Sequence, residues 1–352
     1  MKKIIPILIL FVAVLSGCKK EKSSSSITPK DAKAAIEQSF SSLQSCAQAA
    51  KQGKFLSFVS DAINEDQNQD IDVDWVDDLL VQFEEQYIEG EFYEGNRVND
   101  ERYNGVYTWD KLKSEFVKAT NQNKFEIRMP SKPDNQDNLN LIVSVDNFNE
   151  IPAKIDGEEY YVPSSFHVMF SLNGSVIFSF TLNELTIDPS GNTTLPIRAD
   201  ISVSSPPYSH NLVLSRSSAR QYFLAYNTEA GGACTYGVNL TANSNTDTYE
   251  EFDIEEHLET VSGNIQISQV SYEFSVNVKA LVSEEDITAA DINREASVNV
   301  VAVGGEKLAE LQAVDRNDGI EVDLVYSDNS RVNFFEYIEQ EFEKLEGTFD
   351  DF

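Results

Sequence analysis

Apolar residues recur at helical spacing near the start of the chain and at every second position through most of the remainder. Ile36, Phe40, Leu43, Ala47 and Ala50 fall on one helical stripe. Thr28-Pro29-Lys30-Asp31 opens that helix with a Thr N-cap, Pro at the first helical position and an acid at the third. Gly53 stands where it should stop. A short second helix is predicted through Leu56, Val59 and Ile63. A third begins after Asp74, with Trp75, Leu79, Phe83 and Tyr87 on one face and Gly90 beyond its end. Such stripes need an apolar surface to cover. Residues 28–95 are therefore expected to form a helical segment packed on strands later in the chain.

From about residue 105 the period falls to two. "KFEIRMP" sets Phe125, Ile127 and Met129 on one face and Lys124, Glu126 and Arg128 on the other. "LNLIVSV" does the same with Leu139, Leu141, Val143 and Val145. One-sided alternation of this kind belongs to antiparallel sheets with one wet face. "FHVMFSLNGSVIFSFTL" predicts a hairpin turning at Asn173-Gly174. A strict two-residue loop would set Val168 against Ser179 and Phe166 against Thr181. One extra residue pairs Leu172 with Val176, Phe170 with Phe178, Val168 with Phe180 and Phe166 with Leu182. Register follows the apolar face, so the bulged form is expected.

Further strands are predicted near 197–203, 211–215, 221–226, 235–241, 264–268 and 270–280. Ser283-Glu284-Glu285-Asp286 reads as the cap of a short helix. Ile320, Val322, Leu324 and Tyr326 alternate as another strand. A closing helix carries Phe335, Ile338, Phe342 and Leu345 and ends at Gly347. The expected class is α+β: N-terminal helices packed on a large antiparallel β-sheet (curved sheet, half-barrel or sandwich), with a C-terminal helix. The β-rich body is placed at 96–352, with a sub-boundary in the apolar-poor stretch 243–256.

The first residues belong to a different pattern. Lys2 and Lys3 precede an apolar run of 12 residues, Ile4 to Leu15, and then Ser16-Gly17-Cys18. A basic start, a short apolar run and small residues at the break make a secretory signal. The run is shorter than the roughly 20 residues a spanning helix needs. Leu15-Ser16-Gly17-Cys18 fills every position of a lipobox, and residues 1–18 resemble the bacterial lipoprotein precursors. The resemblance implies cleavage between Gly17 and Cys18. It also implies a diacylglyceryl thioether on the Cys18 sulfur and an acyl chain such as palmitate on the new amine. Two or more chains anchor stably, at about 0.8 kcal/mol per buried CH₂. In Gram-negative lipoproteins a residue other than Asp after the cysteine goes with transfer to the outer membrane, and Lys19 meets that condition. Residues 18–27 then read as a lipidated cysteine and a polar tether.

Charge narrows the partners. The formal net charge is −32, and loss of residues 1–17 takes it to about −34. Such a body repels nucleic acid and anionic head groups. The lipid anchor at Cys18 is the expected route to the membrane. With Cys18 committed to lipid, Cys46 and Cys234 remain in an oxidising compartment, where they can pair or stay as buried thiols.

The chemistry on offer is sparse. "DQNQDIDVDWVD" presents Asp66, Asn68, Asp70, Asp72 and Asp74 at alternate positions and Asp77 last. Oxygen ligands so spaced suit calcium. Against it, Ile71 occupies the position that needs Gly, and Asp77 is one carbon shorter than the expected Glu. The same acids can simply cap and complement the next helix. Glu255, Glu256, His257 and Glu259 cluster without a zinc-like spacing. No nucleophile motif is present. With 59 acids some carboxylate pair will stand at a glycosidase-like separation, so the pairing carries no information. The expectation is a lipid-anchored envelope protein with a binding or structural role and no cofactor. The alternatives are a carboxylate-dependent hydrolase of envelope or polysaccharide substrates, and a calcium-dependent adhesion or stability module.

Overall fold

The computed structural model describes residues 27–51, 53, 71–87, 104–120, 124–155, 157–188, 195–230, 234–247, 253–283, 286–316 and 319–340. Two helices lead, α1 (Pro29–Lys51) and α2 (Val73–Tyr87). The first strands are β1 (Gly105–Asp110), β2 (Glu115–Thr120), β3 (Phe125–Met129), β4 (Leu141–Ile155), β5 (Glu158–Leu172) and β6 (Ser175–Asp188). Next come β7 (Leu195–Ser205), β8 (Tyr208–Ser218), β9 (Gln221–Ala230) and β10 (Cys234–Ser244). After α3 (Ile254–His257) the chain forms β11 (Leu258–Ile267) and β12 (Val270–Asn277). Then α4 (Val278–Val282) and α5 (Ala289–Glu295) precede β13 (Ala296–Ala302), β14 (Lys307–Arg316), β15 (Gly319–Tyr326) and β16 (Arg331–Asn333).

The 16 described strands form one sheet-dominated α+β fold, in the order β16 through β3 in sequence and then β1 and β2. β1 pairs with β3 in parallel, because β2 folds back on one side of β1 and β3 returns on the other. Alternation alone predicts antiparallel neighbours and misses that exchange. Internal contacts divide the chain into two compact units, 50–213 and 1–49 with 214–352.

In the unit 50–213, α2 places Val76, Leu79 and Phe83 in one cluster with Tyr107, Trp109, Phe116, Ile127, Met129, Leu141 and Val143. Phe83 sits edge-on to Tyr107 at 5.0 Å and to Phe116 at 5.3 Å. Such ring pairs add about 0.5–1.5 kcal/mol beyond burial. The β5–β6 hairpin keeps three of the four expected apolar pairs: Phe170 with Phe178, Val168 with Phe180 and Phe166 with Leu182. At the tip, Leu172 pairs with Ser175 and Ser171 with Val176. The turn at Asn173-Gly174 is tight, with positive φ at both residues. The extra residue is Ile177, inside the strand. The bulge turns Ile177 into the core and leaves Val176 outside.

In the unit 1–49 with 214–352, Ala32, Ile36 and Phe40 of α1 join Val270, Tyr272, Phe274 and Val276 of β12. Val298 and Val300 of β13 and Val322 and Leu324 of β15 belong to the same core. Here β12 alternates strictly between buried and wetter positions, the pattern of a sheet with one covered face. Gly263 faces Leu240 across β10–β11. A Cβ there would meet the Asn239 carbonyl oxygen at 1.8 Å, so no side chain fits.

Two expected helix details are corrected. Ser283 is the C-cap of α4, and the capping box is Thr288 with Asp291 at the start of α5. Asn277 already caps α4, so Ser283 meets a helix that is ending. In the helical residues 334–340, Phe334 and Tyr337 are buried and Phe335 is exposed. The stripe thus opens on Phe334 and Tyr337 in place of Phe335, while Ile338 packs partly buried against the same core, as predicted. Phe342, Leu345 and Gly347, and the helix predicted through Leu56, Val59 and Ile63, lie outside the described residues.

Candidate functional site

Ile71 and Asp72 join the sequence's acidic loop to α2. The Ile71 side chain is buried in the core of its unit. Asp72 Oδ1 accepts from the Trp75 amide at 3.0 Å, and the Asp72 carbonyl accepts from the Val76 amide. Asp72 is therefore the N-cap, and Asp74 and Asp77 are exposed in the first turns of α2, where acids complement the helix dipole. Asp66, Asn68 and Asp70 lie outside the described residues. Among the described residues no group of three or more His, Cys, Asp or Glu side chains could hold a metal ion.

The histidines have local roles. His257 Nδ1 accepts from the Asp253 amide at 2.9 Å, while Asp253 Oδ1 accepts from the Glu255 and Glu256 amides. The acidic cluster at 253–257 thus builds the cap of α3. His167 stands 3.3 Å from Asp146 across β4–β5. His210 stacks on Tyr208 at 6.0 Å, and burial pushes its pKa below the usual histidine value.

Two carboxylates missed at the sequence level are held between cations. Glu126, 8% exposed, accepts from Lys124 Nζ at 2.6 Å and Arg128 Nε at 2.5 Å. Burial works to raise its pKa, but the hydrogen bonds from Lys124 and Arg128 bring it below the ordinary glutamate value. The Lys-x-Glu-x-Arg alternation was the available signal, since residues two apart share a strand face. Asp323, 2% exposed, accepts from Arg316 at 2.6 Å and has Arg331 at 3.6 Å. Its partners come from β14 and β16, the strands on either side of β15, so no local spacing reveals the set. Removing one partner from a buried ion pair leaves an uncompensated charge; these arrangements are structural clamps.

A second feature is an apolar band across β4–β7. Val145, Val168, Phe180 and Val203 form one cross-strand row, and Phe166, Leu182 and Ile201 the next. Phe166 stacks on Phe180 at 5.5 Å and approaches Phe148 at 6.3 Å. Apart from Val168, none of these residues belongs to either core cluster. Residues 160–172 of β5 are half-buried throughout, without the alternation of β12. The opposite face is a polar ladder. There Asn183 donates to Asp200 and Ser202 at 3.0 and 2.8 Å, and Arg198 bridges Glu184 and Asp200 at 2.9 Å each. Among the described residues, Val168 alone of the apolar band shares a cluster with a helix, and the side chains shield one another.

At the sheet's terminal strand the backbone is capped by a side chain. Gln86 Nε2 donates to the Phe116 carbonyl at 2.7 Å, and the Phe116 amide donates to Gln86 Oε1 at 3.0 Å. The Tyr87 hydroxyl donates to the same carbonyl at 2.8 Å. The amide of Gln86 thus imitates the next strand at one position of β2.

Cys46 is half-buried on α1 and disulfide-bonded. Gly17, Cys18 and the side chain of Cys234 lie outside the described residues. Among the described residues no helix is long and apolar enough to cross a membrane. No family model matches the chain, and no curated protein or solved structure matches it.

Proposed function

We propose that the protein is a lipid-anchored component of a bacterial outer membrane whose acidic, sheet-dominated body has a binding or structural role. The observation that carries this is Leu15-Ser16-Gly17-Cys18, placed directly after a basic start and a 12-residue apolar run. In this reading the N-terminal helices cover their strands locally, as the shared clusters of α1 with β12 and of α2 with β1–β4 suggest. The polar tether after Cys18 holds a body of strong negative charge off a membrane whose head groups repel it.

Intact-mass measurement of the protein made in a bacterial host with its own leader tests the anchor. The expected mass is that of the chain from Cys18 onward plus a diacylglyceryl group and an acyl chain, with partition into detergent. Cys18→Ala should lose both the added mass and the partition. A bare Cys18 thiol, or residues 1–17 still attached, sinks the reading.

A further inference from the structure

The chain has three cysteines, and Cys46 is bonded to another, so its partner within the chain is Cys18 or Cys234. We infer that it is Cys234, and that the bond ties the last turns of α1 to the start of β10. The helix supplies one half of the argument. The side chains of α1 that join the core are Ala32, Ala35, Ile36, Phe40 and Leu43, a stripe that advances by three or four residues a turn. Cys46 is the next step of that stripe, so it lies on the face that α1 turns to the strands.

Strand register supplies the other half. Tyr236, Leu240 and Ala242 of β10 pack against the same core as α1. Cys234 is the first residue of β10, pairs with Ala230 and shares the parity of those three residues. It therefore stands on the side of the sheet that α1 covers. The reach sets the course of the helix. Ser39 lies beside the Tyr272 hydroxyl of β12, and Cys46 is seven residues further on, about 10 Å along a helix. Val238 of β10 stands opposite Tyr272 through Ile265 of β11, two strand spacings or about 9.6 Å away. Cys234 lies four residues along β10 from it, about 13 Å, so the bond requires α1 to run obliquely across the strands. Forming the bond takes two protons and two electrons from the thiols. An exogenous protein disulfide of the envelope accepts them and is reduced to its dithiol.

This pairing leaves Cys18 as the remaining sulfur, which is what a thioether to diacylglycerol requires; only that consequence rests on the proposed anchor. The test is non-reducing proteolysis of alkylated full-length protein from the envelope, followed by mass spectrometry. A linked pair of peptides containing Cys46 and Cys234, lost on reduction, is expected. A Cys18–Cys46 pair, or alkylated Cys46, overturns the assignment. A Cys46–Cys234 pair with Cys18 unmodified upholds it and instead defeats the anchor. Cys46→Ser and Cys234→Ser should each lower the Tm by roughly 5–10 °C, and the double variant no further. A Cys234→Ser protein in which Cys46 remains disulfide-bonded to Cys18 also overturns it.

Discussion

A carboxylate that is nearly withdrawn from water, in a chain of strong negative charge, survives only where cations are fixed beside it. Glu126 has Lys124 and Arg128 on its own strand face. Its folded pKa lies below the ordinary value, while the unfolded chain returns it to about 4.3. A depressed carboxylate adds stability that is fully present above the unfolded pKa and is lost as pH falls through the folded one. Glu126→Gln should therefore reduce stability at neutral pH and flatten the dependence of the unfolding midpoint on pH below about 4.3. Urea titrations of both proteins at several pH values check this; parallel curves would remove Glu126 from the acid response. The alternation around Glu126 was legible in the sequence as strand, with Ile127 and Met129 correctly inward. Its burial was not, because alternation assigns a face and says nothing of how far neighbouring side chains close over it. Asp323 was less legible still, since Arg316 and Arg331 reach it from the two strands that flank β15.

Elements were legible where two local signals agreed. α1 begins at Pro29, as the Thr28 cap and its acid require, and the β5–β6 register obeys its apolar pairs. Local signals mislead where the next element decides: Ser283 resembles a cap, but Asn277 and Thr288 do the capping. The parallel β1–β3 pair was also invisible, because alternation marks the two faces of a strand and not which strand lies beside it. The same helix guards the end of the sheet. Gln86 offers β2 a donor and an acceptor at Phe116, and Tyr87 reinforces only the carbonyl. Gln86→Ala should cost about 1–2 kcal/mol, because the Phe116 amide loses its partner. Hydrogen exchange distinguishes this from a general loss of stability. The Phe116 amide should exchange faster relative to amides of the β14–β15 pair. Unchanged exchange at Phe116 would mean that the edge is protected by something other than Gln86.

At the scale of the molecule, net charge and local capping make opposite demands on the acidic loop before α2. A body at −32 is strained by its own repulsion, and any counterion relieves some of it within a Debye length. Raising NaCl from about 10 mM to about 0.5 M should therefore lift the Tm by roughly 2–5 °C. Calcium at matched ionic strength asks a sharper question. Asp72 is already spent on the Trp75 amide, and Ile71 is anchored in the core. A calcium loop from Asp66 to Asp77 would have to pull the N-cap away from α2, forfeiting about 1 kcal/mol. The expected result is the same midpoint in CaCl₂ and NaCl of equal ionic strength, and no change on adding chelator. Ligand bound at a hundredfold its dissociation constant adds about 2.7 kcal/mol, several degrees in a chain of this size, so the two outcomes separate cleanly. A calcium-specific rise that Asp66→Ala or Asp70→Ala abolishes would show that the loop binds a cation through its side chains, and would move the acidic stretch from local structure to ligand binding.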